Sequence, residues 1–380
     1  MSLHDIRSKV DKIDRQLLVL LHERMGLALR ARRFKDEVVD AEREEAVLER
    51  AGRLDLDLVE TSFGKQLLRT IIEESKRLQG EARELVAFQG EHGAYGELAA
   101  RRLAPKAAHA PCMEYADVFL GVEEGYFDLG VVPVEHSLEG SVTQVNDLLT
   151  TTRACVVGEI NVSVSHCLMA VEETDYRELR VVYSHPEVLA QCAGFIERHK
   201  LDARPFYDTA GAAKMLAREN PRGAAAIASP LAAQVYDLAI LKEGIDDGPA
   251  SSTRFLLLAR EPRDAAKEKC SIVFATAHKA GSLFDVLRLF AESKINLTRI
   301  SSTPRRSDPG NYTFFLDFEG SSEAKKVVAV LDQMKKRTIE LKFLGSYPAA
   351  GEHGPGLRRE AESNWREADE WLRTLRAGLR

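Results

Sequence analysis

The stretch Asp128-Leu-Gly-Val-Val-Pro-Val-Glu135-His136-Ser137-Leu-Glu139-Gly140-Ser-Val142 decides the reading of this chain. Its apolar run, Leu129 to Val134, is too short for a helix and reads as a buried strand. Pro133 sits near the end, where a missing N–H is tolerated. Glu135, His136 and Ser137 follow at once, three polar side chains at a strand's exit. Ligands of open α/β sheets bind at such carboxyl ends. A polar turn that merely caps the strand would look the same. Other loops of the chain carry the same small polar groups, and that favours a site.

A chain of 380 residues predicts two or three domains with real cores. The net charge of −6 implies no general affinity for nucleic acid. Cys112, Cys155, Cys167, Cys192 and Cys270 are dispersed, with no C-x-x-C pair, as expected of reduced thiols in a cytoplasmic protein. The N-terminus has no apolar signal core, and no run has membrane length. Metal-ligand spacings and a P-loop are absent from the sequence, so neither metal nor cofactor is expected.

Upstream, residues 1–80 carry almost no strand pattern. Ile6, Val10, Ile13, Leu17, Leu20, Leu27 and Ala31 follow the four-three spacing of a helix seam. Arg24 fills the missing seam position, and a guanidinium there is costly unless it meets an anion. One helix over residues 5–35 would be about 45 Å long. A short module cannot cover such a seam alone, so the pattern predicts an entwined helical dimer. Asp40 and Glu44 share a helix face, as do Ser75 and Gln79 on a later helix near Phe63–Leu78. Eleven steps of ~100° bring Arg24 and Lys35 within about 20° of each other.

Residues 5–80 resemble the all-helical chorismate mutases of the AroQ type. The resemblance implies Arg7, Arg24, Lys35, Asp40, Glu44, Ser75 and Gln79 as site residues. Chorismate is a dianion whose rearrangement needs no nucleophile, so catalysis must hold a conformer and stabilise charge growing on the ether oxygen. Arginines suit its carboxylates. Lys35 and Gln79 suit the ether oxygen, and Glu44 can accept from the hydroxyl.

Beyond a polar joint at Gly80–Glu84, strands are expected at 85–89, 129–134, 154–160, 164–170, 180–183, 224–228 and 255–259. Helices, including 186–200 and 210–218, alternate with them, an α/β composition. A glycine-containing loop, Gly90-Glu-His-Gly93-Ala94-Tyr95-Gly96, precedes another helix, where an anion can sit. From Val86 to Arg260 the chain resembles prephenate dehydratases, through F-Q-G-E-H-G-A-Y, the opening stretch, S-H-P-E-V-L-A-Q-C at 184–192, D-T-A-G-A-A at 208–213 and S-S-T-R-F at 251–255. That family has two α/β lobes, like periplasmic binding proteins, with the site in the cleft. The resemblance implies catalytic Glu135, Ser137, Ser184, Gln191 and Thr253, with His136, Thr209 and Arg254 contacting substrate. Thr253 would contact the leaving hydroxyl. Glu135 would supply the proton if burial raises its pKa. His136 stands where the family usually has asparagine, which bears on the choice between prephenate and arogenate.

After a charged linker, residues 269–349 read strand, helix, strand, strand, helix, strand, a ferredoxin-like order. H-K-A-G-S-L-F-D-V-L and I-N-L-T-R-I-S-S-T-P resemble an ACT domain. The resemblance implies that Ala280, Gly281, Ser282, Leu283, Asn296, Leu297 and Ser302 bind phenylalanine at a dimer interface. Ser301-Ser302-Thr303-Pro304 lacks both charges of the usual E-S-R-P, so weak binding is expected. Residues 350–380 read as a Gly/Pro break followed by a charged helical tail.

The expected architecture is thus an all-α mutase module (1–80), a two-lobed α/β dehydratase domain (84–260) and an α+β ACT domain (269–349). The expected function is chorismate to prephenate, then prephenate to phenylpyruvate, with phenylalanine as effector and a homodimer or homotetramer as the assembly. Arogenate as second substrate and a non-catalytic aromatic-acid sensor are the alternatives.

Overall fold

The computed structural model describes residues 2–172, 174–249, 251–305 and 311–350; the expected tail helix lies outside them. The seam pattern produces one long helix, α1 (Leu3–Arg32), followed by α2 (Ala41–Gly52) and α3 (Thr61–Gly80). Asp40 caps α2 by accepting from the Arg43 N–H at 3.0 Å. The seam residues Ile6, Val10, Ile13, Leu17, Leu20 and Leu27 are between 44% and 61% exposed in the single chain.

The first lobe of the middle domain runs β1 (Leu85–Gln89), α4 (Tyr95–Leu103), β2 (Ala108–Cys112), α5 (Tyr115–Glu123), β3 (Leu129–His136), β4 (Gly140–Ser141), α6 (Thr143–Thr151) and β5 (Cys155–Val164). The second runs β6 (Cys167–Ala170), β7 (Val181–Ser184), α7 (Pro186–Gln191), α8 (Ala193–Arg198), β8 (Asp202–Pro205), α9 (Thr209–Glu219), β9 (Ala224–Ala228), α10 (Pro230–Tyr236) and β10 (Ala239–Glu243). The chain then returns as β11 (Ser251–Ala259), which enters the first sheet between β3 and β5, antiparallel to both. The first sheet has the order β2-β1-β3-β11-β5, with β4 on β3, and the second β10-β6-β9-β7-β8. The Ala-rich β9 is buried along its length, as a strand covered on both faces must be.

The helix expected over 186–200 is two helices broken at Cys192. The Asp247 carboxylate accepts from the N–H of Gly194 at 2.5 Å and of Phe195 at 3.2 Å, so a new helix start is capped there.

The C-terminal module comprises β12 (Lys269–Ala275), α11 (Ser282–Glu292), β13 (Leu297–Pro304), β14 (Tyr312–Glu319), α12 (Lys325–Arg337) and β15 (Glu340–Tyr347), with sheet order β13-β14-β12-β15. It shares a core with the first lobe: Val273, Phe315, Leu344 and Tyr347 pack with Val134, Val145, Leu149 and Val156. Lys342 donates to the carbonyls of Leu149 at 2.9 Å, Thr150 at 3.0 Å and Thr152, which satisfies the C-terminal end of α6. At Gly345 a Cβ would stand 2.0 Å from the Val156 carbonyl oxygen, so only glycine admits this approach of β15 to β5.

Helix α1 touches both lobes. Arg15 pairs with Asp237 at 2.6 Å and Glu23 with Lys214 at 2.9 Å, on the second lobe. On the first, Arg33 pairs with Asp128, Phe34 stacks on Tyr126 and the His22 ring meets His92.

Candidate active sites

In the helical module Arg24, half-buried on α1, donates to Ser75 Oγ of α3 at 2.6 Å. Burial lowers the pKa of this guanidinium. Lys35 lies 3.7 Å from Asp40, and Glu44 pairs at 3.0 Å with Lys76, a cation that sequence reasoning passed over. Gln79 Oε1 is buried and makes no hydrogen bond among the described residues. A half-buried arginine and a buried polar atom without a hydrogen bond among the described residues thus share a small all-helical region. Arg7, on the same helix as Arg24, is exposed in the single chain. Seventeen residues at ~1.5 Å each separate them by about 25 Å.

In the middle domain β3 continues two residues past Val134. Glu135 and His136 therefore lie within the strand, not beyond its exit, because β11 offers them partners. His136 stands opposite Thr253 and Glu135 opposite Arg254. Ser137 fixes the end of the pair: its N–H donates to the Ser252 carbonyl and its Oγ accepts from the Ser252 N–H, both at 2.9 Å. Thr253 is buried.

Successive strand residues face opposite ways, and Arg254 consequently turns away from Thr253. The structure places Arg254, expected to contact substrate, with Glu159, Asp317 and Tyr347 instead. Its guanidinium meets Glu159 at 2.6 Å, Asp317 at 2.6 Å and the Tyr347 hydroxyl at 3.2 Å, a buried junction with the C-terminal module. Lys269 reaches both oxygens of Glu159 at 3.0 Å, and Ser271 donates to Asp317 at 2.5 Å. Burial opposes the charge on Arg254, but Asp317, Tyr347 and Glu159 outweigh it and raise the pKa.

Glu135 also differs from the reading as a buried acid. Its side chain is 41% exposed, and Oε2 lies 3.6 Å from Arg299 Nε of β13. From the second lobe, Gln191 donates to Glu139 at 2.5 Å, which joins α7 to the β3–β4 turn. Its Oε1 lies 3.0 Å from His166 Nε2. His166, unmarked by any motif, occupies the crossing between lobes. Its Nδ1 is 3.2 Å from the Tyr95 hydroxyl and its N–H donates to Asp246 at 2.9 Å. Burial lowers the His166 pKa, so a neutral imidazole with Nε2–H toward Gln191 fits these contacts. Ser184 is fully buried and donates to the Ile227 carbonyl at 2.6 Å, tying β7 to β9. Thr209 opens α9 beside Asp208, whose carboxylate accepts from the Gly211 N–H at 2.7 Å and whose pKa burial raises.

The opening loop has left-handed Gly90 and Gly93. A Cβ on Gly93 would stand 2.6 Å from Ala232 Cα, so the loop lies tight against α10. Glu97 accepts from the Gly93 N–H at 2.6 Å and from Arg101 at 2.8 Å. Burial alone would raise its pKa; His92, Gly93 and Arg101 hold it at about 2.

The C-terminal module holds a cavity of about 380 Å³ lined by Ala280, Ser282, Leu283, His278, Tyr312 and Phe314, among others. Gly281 opens α11 with φ +87°. Ser282 Oγ is buried without a hydrogen bond among the described residues. Ser302 stands opposite Phe314. Asn296 and Leu297 are not among the lining residues; Asn296 donates instead to Glu319 at 3.1 Å.

Known proteins resemble all three parts. Residues 6–80 match chorismate mutase type II, residues 86–263 prephenate dehydratase, and residues 271–335 the ACT domain. A bifunctional chorismate mutase/prephenate dehydratase of Aquifex aeolicus is 34% identical over 358 residues, 92% of this chain and 98% of the relative. Arogenate dehydratase/prephenate dehydratase 2 of Arabidopsis thaliana is 40% identical over 279 residues, 70% of this chain and 73% of the relative. A crystal structure of prephenate dehydratase from Arthrobacter aurescens in complex with L-Phe superposes with a TM-score of 0.64 at 28% identity, covering 77% of this chain and 99% of that one. With a helical module, a two-lobed middle domain and an ACT domain in this order, the chain belongs to the bifunctional chorismate mutase/prephenate dehydratases, enzymes of phenylalanine biosynthesis.

Proposed function

We propose that the two reactions run at the two sites described, within the boundaries 1–80, 84–260 and 269–349. For the first, Arg24 holds a chorismate carboxylate while Lys35 and Gln79 address the ether oxygen. An ether oxygen only accepts, so Gln79 meets it through its amide N–H, while its Oε1, without a partner among the described residues, takes a hydrogen bond from a donor. Asp40 and Ser75 hold Lys35 and Arg24, and Glu44 accepts from the substrate hydroxyl. Arg7 completes the site from a second copy, since one straight helix holds it some 25 Å from Arg24. The bare seam of α1 supports that pairing. Mixed and co-refolded Arg7→Ala and Arg24→Ala variants recover mutase activity if each heterodimer regains one intact site. No recovery in confirmed heterodimers places Arg7 elsewhere.

In the second reaction the ring C–OH bond and the bond to the ring carboxylate break. One proton is taken up, and water and carbon dioxide leave. Thr253 hydrogen-bonds the departing hydroxyl. The half-exposed Glu135 relays the proton from solvent, a different role from a buried acid. His136, Ser137 and Thr209 border the substrate, and Gln191 closes the cleft through Glu139. Ser184 acts through β9. The observation that carries this reading is the buried Thr253 paired across from His136.

Phenylalanine is the proposed effector, in the cavity beside Ser282. Asn296 and Leu297 do not line one chain's cavity, which fits closure by those residues of a second copy. The uncharged Ser301–Pro304 block favours weak inhibition. Five unpaired cysteines fit a cytoplasmic enzyme. Isotope-traced chorismate incubated with and without phenylalanine tests the whole: phenylpyruvate is expected, reduced by phenylalanine. Chorismate returned unchanged would mean an aromatic-acid sensor, and turnover of arogenate alone would change the second substrate.

A further inference from the structure

One side chain of the ACT domain reaches the strands that carry Glu135. Arg299 lies within β13, and its side chain is only 6% exposed. One Nη lies 3.1 Å from Ser141 Oγ, 3.4 Å from the Val134 carbonyl and 3.5 Å from Asn146 Oδ1. Ser301, two residues on, meets Ser141 Oγ at 2.9 Å. Val134 precedes Glu135, and Ser141 is the register partner of Glu135 on β4. The guanidinium therefore grips both strands that flank Glu135. Its Nε is buried, makes no hydrogen bond among the described residues, and stands 3.6 Å from the Glu135 carboxylate. A buried guanidinium needs such acceptors to offset its lost hydration. Burial opposes the charge on Arg299 and lowers its pKa, and Asp317 and Glu135 only partly offset this.

We propose that Arg299 is a positioning residue for the dehydratase reaction: from the ACT domain it sets the place of Glu135 at the cleft. This rests on Glu135 taking part in the reaction. An arginine suits the task because its planar fork addresses a carbonyl and a hydroxyl on one side and a carboxylate on another, which an ammonium cannot do at once. The opposite end of β13 pairs with Tyr312 and Phe314 of the effector cavity. An effector that shifts this strand shifts Arg299, and with it Glu135.

The test uses the full-length chain and the variants Arg299→Gln, Arg299→Lys, Glu135→Gln and their doubles. Mutase activity and the thermal transition of each sample report folding. Arg299→Gln is expected to lower the dehydratase kcat on the order of 10²-fold, as misplacement of a reacting group does, with KM for prephenate little changed. Arg299→Lys retains the charge and is expected to recover about tenfold of that loss. The Glu135→Gln/Arg299→Gln double is expected to be no slower than Glu135→Gln alone. Equal kcat for the Lys and Gln variants, or losses that multiply in the double, overturns the proposal. Should Arg299→Gln not fold, the Lys variant carries the cycle, and a cost as large in the Glu135→Gln background as in the native chain overturns it. Glu135→Gln at native kcat refutes the role of Glu135 itself; loss there beside a native Arg299→Gln refutes the positioning alone.

Discussion

Replacing Arg254 by methionine separates a structural arginine from a substrate-binding one. The guanidinium holds two buried carboxylates, Asp317 at 2.6 Å and Glu159 at 2.6 Å, and the Tyr347 hydroxyl at 3.2 Å. Removing one member of a buried ion pair costs ~3–5 kcal/mol, because its partner stays buried and uncompensated. Here Glu159 keeps Lys269 and Asp317 keeps Ser271, so the lower end, ~3 kcal/mol, applies. At about 2–4 °C per kcal/mol for a domain of this size, the transition should fall by about 6–12 °C in scanning calorimetry. Adding Asp317→Asn to Arg254→Met removes a stranded charge, so the double variant should be more stable than the sum of the single losses. A transition left in place together with a raised KM for prephenate would refute this reasoning and return Arg254 to the cleft.

Thr253→Ala should reduce dehydratase kcat by on the order of 10²-fold or more and spare the mutase, so that prephenate accumulates from chorismate; undiminished phenylpyruvate counts against the assignment. Glu97, held at about 2 against an ordinary 4.5, stabilises the fold above that ordinary value and loses the contribution as pH falls through its folded value. At 1.36 kcal/mol per unit this amounts to about 3 kcal/mol. The thermal transition of Glu97→Gln should therefore fall less steeply than the native one between about pH 5 and pH 2, and parallel curves would exclude Glu97 as the cause. Gly345→Ala forces a Cβ against the Val156 carbonyl and should loosen the ACT domain from the first lobe. Faster proteolysis near the 260–268 linker would show it; a native digestion pattern would not fit the contact.

The strands at 85–89 and 224–228 were legible because Leu85–Phe88 and Ala224–Ala228 are unbroken apolar runs between polar or glycine-bearing joints. Strands β2 and β8 were not. Both lie at sheet edges and carry a proline, Pro111 and Pro205, which weakens the apolar alternation. The break at Cys192 depends on Asp247, far along the chain, and no local pattern could announce it. Glu135 and His136 read as lying beyond a strand's end, because only the distant β11 supplies the pairing that keeps them within β3. Alternation along β11 was available to place Arg254 on the face away from Thr253. Arg299 stood in a quoted block, but its acceptors are on β3, β4 and α6, and only the packing of two domains brings them within reach.

The return of β11 to the first sheet has a consequence for synthesis on the ribosome. The space between β3 and β5 stays empty until residue 259 has emerged, 95 residues after β5 ends at Val164. At roughly 5–20 residues per second that interval is about 5–20 s. During it the second lobe, whose strands are contiguous from Cys167 to Glu243, has all its segments in hand while the first sheet has an open gap beside β3. The strand that brings Thr253 is then the last of the first sheet to arrive. A chain that stops short of it leaves an unpaired apolar edge on β3, a surface suited to aggregation.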